Sequence, residues 1–121
     1  QGLTADVMVA GTNAITLDGR LVNLDGMGNR VAAMAFGPKK VILVVGMNKV
    51  AADLESAIAR VKHHAAPMNI CRSGLYNPCV ETGLCSDCRS PQRICNMWST
   101  IEGHMIEGRI HVKLVGEFLG Y

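Results

Sequence analysis

Aromatic residues are scarce in this sequence, with one Trp, two Tyr and two Phe among 121 residues. The basic residues are scattered and the formal net charge is only +2. The interleaving of cationic and stacking side chains that grips nucleic acid is therefore missing, and nucleic acid is not an expected partner. Long apolar runs are also lacking. The longest, residues 31–36 and 41–45, fall far short of the roughly 20 residues that a membrane-spanning helix needs, and no basic amphipathic helix is present to lie on a bilayer. No signal-peptide pattern is visible, so the expected location is cytoplasmic, without a membrane partner. The sequence has no HExxH, no Ser-His-Asp spacing and no paired carboxylates close together. Any general base must come from long-range convergence. Asp25 is the candidate for an acid/base role, against the simpler reading that it closes a hairpin at the surface.

Cysteine is absent everywhere except residues 71–95, where all five fall within CRSGLYNPCVETGLCSDCRSPQRIC. Cys79, Cys85, Cys88 and Cys95 are spaced C-x5-C-x2-C-x6-C, and the Gly, Ser, Asp and Pro between them favour turns over regular structure. Such a segment can wrap four thiolates around one centre. A CxxC pair lets two sulfurs converge from a single turn, which suits zinc and iron–sulfur sites alike. Zinc would make a closed tetrahedral brace. An iron–sulfur cluster would use the same thiolates and add electron transfer. The spacing does not separate the two. A disulfide framework fits less well, because the cysteine number is odd and a reducing cytosol keeps thiols free. Dithiol chemistry at Cys85 and Cys88 alone would want the pair at the start of a helix after a strand, and here it sits in a loop. Cys71 reads as a spare, a buried small side chain or a replaceable ligand.

Along the chain, residues 7–10 suit a short buried strand closed by Gly11. Residues 14–16 and 21–24 flank Asp18-Gly19, whose ease at positive φ makes a tight hairpin turn. Residues 31–36 read as a helix buried on most sides and ended by Gly37-Pro38. The β-branched run at 41–46 marks the centre of a parallel sheet. Residues 48–64 are patterned as a helix with Val50, Leu54, Ala57, Ile58 and Val61 on one face, and His63 and His64 read as its last turn, against a metal or catalytic role. Residues 100–101 and 109–115 give strands, the second alternating Ile110, Val112 and Leu114 against His111 and Lys113, which means one buried face. At 13.0 kDa the chain suffices for one core. The expectation is a single α/β domain over residues 1–121, a layered, parallel-rich sheet with flanking helices and a Cys-rich loop.

The second chemical candidate is the turn Asp25-Gly26-Met27-Gly28-Asn29-Arg30. Two glycines at a helix entrance let backbone N–H groups approach an anion, and Arg30 adds a forked donor. The third glycine of GxGxxG and the lysine of a P-loop are missing, so a plain helix-entry turn is the competing reading. Ligands of open α/β sheets gather at the carboxyl ends of strands, where Thr12 and Asn13 would sit after residues 7–10. Asn48 and Lys49, following residues 41–46, would form a third wall.

The segments GTNAITLDGRLVNLDGMGNRVAAMAFGPKKVILVVGMNK, PCVETGLCSDCRSPQRIC and VKLVGEFLGY resemble the lactate-utilisation (LUD) family over nearly the whole chain, in its branch with a cysteine-rich tail. The resemblance implies a fold like that of the glucosamine-6-phosphate isomerase, ribose-5-phosphate isomerase and CoA-transferase superfamily. It also implies iron–sulfur oxidoreductase partners and a part in oxidising L-lactate to pyruvate. Thr12, Asn13, Asp25, Gly26, Gly28, Asn29 and Arg30 match the family's loops, implying a small anionic ligand, and Cys79, Cys85, Cys88 and Cys95 match its cysteine tail. Family members carry a further amino-terminal region, and this chain opens Gln1-Gly2-Leu3 without Met. The expectation is a chain that starts inside a longer protein, whose exposed sheet edge and apolar face make it a homo-oligomer. The end, residues 118–121, reads as a natural terminus. Two functions follow. One is a component of a redox system linked to L-lactate, with an iron–sulfur cluster on the four cysteines and an organic acid or anionic cofactor in the cleft. The other is a ligand-binding or regulatory module with structural zinc.

Overall fold

The computed structural model describes residues 2–121. Its centre is the β-branched run of the sequence. Strand β1 (Val7–Ala10) lies parallel to the central strand β4 (Lys40–Gly46), which is flanked on its other side by parallel β7 (Ile110–Val115). The hairpin of β2 (Ala14–Thr16) and β3 (Leu21–Asp25) forms around Gly19, whose φ of 90° is the left-handed geometry anticipated for Asp18-Gly19. It belongs to a second sheet of order β5-β2-β3-β6, with β5 (Val50–Ala51) parallel to β2 and β6 (Met97–Ile101) antiparallel to β3.

The two sheets face each other, and the period of two decides what meets. Val41, Leu43 and Val45 point inward against Ile15 and Leu21 of the hairpin and Met34. The other face of the hairpin sheet, Ala14 and Val22, packs on Ala57 and Val61 of the helical layer. The result is sheet, sheet, helices. Among the described residues the outer face of the parallel sheet has no such cover, and Val7 and Val9 are 51% and 67% exposed. The expected buried strand at residues 7–10 is thus an edge strand with one wet face, because parallel strands are buried on both sides only where helices cover both. The alternation in β7 holds at Ile110 and Val112, which pack on the core, and fails at Leu114, which is exposed.

Helix α1 (Asn29–Ala35) starts at Gly28 (φ 82°) and stops at Phe36, which turns extended ahead of Gly37-Pro38. Ala33 and Met34 are buried, but Phe36 is exposed, so the segment is buried on one side and not on most. Its carboxyl end is held by an unforeseen side chain. Arg109, buried at the entrance to β7, donates from Nε to the Pro38 carbonyl (2.9 Å), from Nη1 to Met34 (2.6 Å) and from Nη2 to Ala33 (3.1 Å). A fixed cation there satisfies orphan carbonyls and complements the helix dipole.

The helix expected from residue 48 begins later. Residues 47–49 form one 3-10 turn, β5 pairs Val50 with Ile15, and α2 (Leu54–Arg60) starts only where the Asp53 carboxylate accepts from the Ser56 amide at 2.8 Å. It also runs on past its expected end. A π-turn (Val61–Ala65) leads into α3 (Ala66–Ser73), so His63 and His64 are exposed in the middle of a long helix rather than in its last turn. Pro67 explains the wide turn: it has no amide to donate and its ring would strike the carbonyl four residues back, and a π-turn absorbs both faults without ending the helix. Cys71 lies exposed on α3, neither buried nor in the cavity described below.

Candidate functional site

Arg30 organises the first candidate region. Its Nε and Nη2 reach Asp25 Oδ1 at 3.1 and 3.0 Å, Nη2 also reaches Asn13 Oδ1 at 2.6 Å, and Nη1 reaches the Gly11 carbonyl at 3.2 Å. The second Asp25 oxygen accepts from the Val31 amide at 2.6 Å, standing in for the cap that Gly28 cannot supply. Asn13 Oδ1 accepts from Leu24 N as well, and buried Thr12 donates to Asn23 Oδ1 at 3.0 Å. Thr12, Asn13, Asp25 and Arg30 therefore meet in one bonded cluster at the carboxyl end of β1. Asp25 is buried and not a surface hairpin closure, and both of its oxygens are committed.

The glycines of the same turn face elsewhere. A Cβ on Gly26 would touch Ile94, one on Gly28 would run into the Met97 sulfur, and the Gly26 carbonyl accepts from Asn96 Nδ2 at 3.2 Å. They let the turn lie flat against the start of β6. Asn29 is exposed and lines none of the cavities described here.

A cavity of about 240 Å³ opens beside the cluster, walled by Gly11, Thr12, Asn13, Arg30, Lys49 and residues of α3 and the chain end. Lys49 joins Thr12 and Asn13 there, as expected, whereas Asn48 turns to the Leu119 amide and the Gly120 carbonyl. Arg60 of α2 reaches under the loop, donating to the carbonyls of Asn48 (2.8 Å), Asn13 (3.0 Å) and Tyr121. Burial, then the charges of Arg60 and Arg30, press the Lys49 pKa below the ordinary lysine value. Burial likewise lowers that of Arg60.

The second region is the cysteine loop. Helix α4 (Pro78–Thr82) carries Cys79 and ends at Gly83 (φ 71°); Cys85 and Cys88 follow in irregular chain, and Cys95 just precedes β6. All four cysteines line one cavity of about 210 Å³, whose remaining wall is largely apolar and includes Ile58, Ala66, Ile70, Ile94 and Trp98. Apolar burial raises the thiol pKa of Cys79 and Cys95, and the neighbouring cysteines add to it. Asp87, at φ 52°, turns its amide onto Cys85 Sγ at 3.5 Å. Lys62 pairs with Asp87 at 2.6 Å, and Arg93 holds the carbonyls of Cys88 and Cys95. The sulfurs share this cavity without closing on one point: among the described residues no group of three or more His, Cys, Asp or Glu side chains is drawn tightly enough to hold a metal ion.

The donor set, four cysteine thiols, fits a zinc ion and an iron–sulfur cluster alike. Lys62 and Arg93 had no sequence signal beyond being cations near cysteines. Asn69 and Arg72 had none, since they reach the first cavity from a helix that arrives there only through packing.

Among the described residues no helix is long and apolar enough to cross a membrane. The family described as LUD domain matches residues 1–115. Among curated proteins and among solved structures nothing matches.

Proposed function

The chain belongs to the LUD domain family, and on that premise we propose that it is a component of a redox system linked to L-lactate utilisation, with Cys79, Cys85, Cys88 and Cys95 as the ligands of an iron–sulfur cluster. The observation that carries this reading is the common cavity of the four thiols. When bound, a cluster there supplies one-electron transfer to iron–sulfur oxidoreductase subunits. The protein's own part is to exclude water with Ile70, Ile94 and Trp98, to fix the loop through Arg93 and the Lys62–Asp87 pair, and to direct the Asp87 amide at sulfur. The cleft at Thr12, Asn13 and Arg30 takes the organic acid or an anionic cofactor, with Asp25 holding Arg30 in place. The glycines Gly26 and Gly28, with Asn29, shape the helix entrance behind it. The uncovered face of the parallel sheet, with Val7, Val9 and Val44 exposed, supports association of copies or of a further segment over it.

Iron, zinc and acid-labile sulfide analysis of chain purified without oxygen tests the proposal. Iron and sulfide in near-stoichiometric amounts are expected. Zinc without sulfide would replace it with the second reading, a ligand-binding module whose loop is stapled by structural zinc.

A further inference from the structure

The cavity beside the Arg30 cluster holds more positive charge than its own side chains neutralise. Arg30 is compensated by Asp25. Arg60 spends its donors on carbonyl oxygens and meets no carboxylate side chain among the described residues. Arg72 has one bond, from Nη2 to Asn69 Oδ1 at 3.3 Å, and lies over the Tyr121 ring. Lys49 makes no hydrogen bond or ion pair among the described residues, although its ammonium is held close to Gly11 and Gly120 inside the cavity. Half-burying an ammonium close to arginines, with no carboxylate side chain bonded to it among the described residues, is unfavourable unless something else supplies the negative charge.

We infer that this cavity binds the carboxylate or phosphoryl group of a small ligand, with Lys49 as the principal donor, Arg72 and Asn69 closing the far wall, and Thr12 and Asn13 forming the floor. The assignment reverses the part expected of Arg30. Each of its donor nitrogens is already bonded inside the protein, so it positions the loop and contributes field, and the open donors are those of Lys49, Arg72 and the Asn69 amide. A chamber of about 240 Å³ lies below the roughly 300–1,000 Å³ of sites for drug-sized ligands. It suits an acid of a few carbons or inorganic phosphate. The inference rests on the reading of this cleft as the organic-acid end of the system, and it does not require the cysteine site.

Isothermal titration of the purified chain with L-lactate and, separately, with inorganic phosphate at low salt tests it. Saturable binding of at least one anion is expected, weakening as sodium chloride is raised. Lys49→Met should weaken it at least tenfold, Arg72→Gln several-fold, and Lys49→Arg should keep it within about threefold, since a lost charged hydrogen bond is the quantity being read. Circular dichroism and metal content of the Lys49 variants should equal those of the parent. Phosphate binding without L-lactate binding would uphold the anion site and remove the organic-acid reading. No saturable binding of either anion, or binding indifferent to Lys49→Met, would overturn the inference and leave the cysteine proposal untouched.

Discussion

The turn at residues 25–30 and the loop at residues 84–95 are both polar and both short of regular structure, yet they are held in opposite ways. In the turn, Asp25 and Arg30 satisfy each other, and the remaining donors and acceptors are taken by Gly11, Asn13 and the first amides of α1. In the cysteine loop the fixed points are few: Lys62 on Asp87, Arg93 on two carbonyls, and Asn77 on the Gln92 carbonyl at 2.9 Å. Its four cysteines line one chamber. The first region is a finished structural brace that a ligand can lean on. The second is a loose frame around an open chamber.

The largest expected effect breaks that frame. Cys85→Ser should abolish bound metal while circular dichroism reports intact α/β layers, because the two cores contain none of the loop. Loss of all secondary structure in that variant would make the loop a folding brace after all. The converse substitution attacks the turn. Asp25→Ala leaves the Arg30 guanidinium and the Val31 amide without their carboxylate, at a cost of about 2–4 kcal/mol, moderated because Arg30 keeps 26% of its side chain in solvent. Urea unfolding checks it, and a shift below about 0.5 kcal/mol would mean that the brace is idle. Metal content should not change.

A smaller loss, about 1–3 kcal/mol, is expected for Gly28→Ala, which forces a Cβ onto a residue at φ 82° and against the Met97 sulfur. Thermal melts of Gly28→Ala and of Gly83→Ala sharpen the contrast. Gly83 also has positive φ (71°), but a Cβ there meets nothing within 4 Å, so it should cost only the backbone strain. The smallest effect lies outside both regions. Asp53 is held below the ordinary carboxylate pKa of 3.8 by its bonds from Ser56. Its folded value is therefore lower than its unfolded one, so the cap contributes fully above about pH 3.8 and fades as pH falls through the folded value. Stability of the parent over Asp53→Ala should be greatest near neutral pH and should vanish on acidification, as followed by urea unfolding across pH.

Much of the fold was legible in the sequence. The hairpin followed from Asp18-Gly19, the central parallel strand from the β-branched run at 41–46, and the stop of α1 from Gly37-Pro38, each a property of a few adjacent residues. The errors share a cause. Residues 48–53 carry a helical pattern, but Val50 pairs with Ile15 across the sheet. The pattern read as a helix stops at His64, while packing of Val61, Ala65 and Ile70 carries the helix on through a π-turn. In the candidate sites, Thr12, Asn13 and Arg30 were legible as polar residues at a strand end, and the four cysteines by their spacing. Arg60, Arg72 and Arg109 were not, since a long cation reads the same whether it is solvated or reaches across the molecule.

The sequence by itself determined which residues are chemically equipped: four thiols within a turn-rich segment, a glycine turn before a helix, and a parallel strand whose end must carry polar loops. Spacing and backbone preference are local, so they survive without coordinates. Only the tertiary structure decided what those residues are used for. It bonded Arg30 into a brace with Asp25, directed the glycines toward β6, brought the four cysteines to one chamber, and left Lys49 without a hydrogen bond or ion pair among the described residues. The physical reason is that hydrogen-bond satisfaction and charge compensation are settled between residues tens of positions apart, as between Arg60 and Asn13 or Arg109 and Met34, and such pairings exist only once the chain has packed.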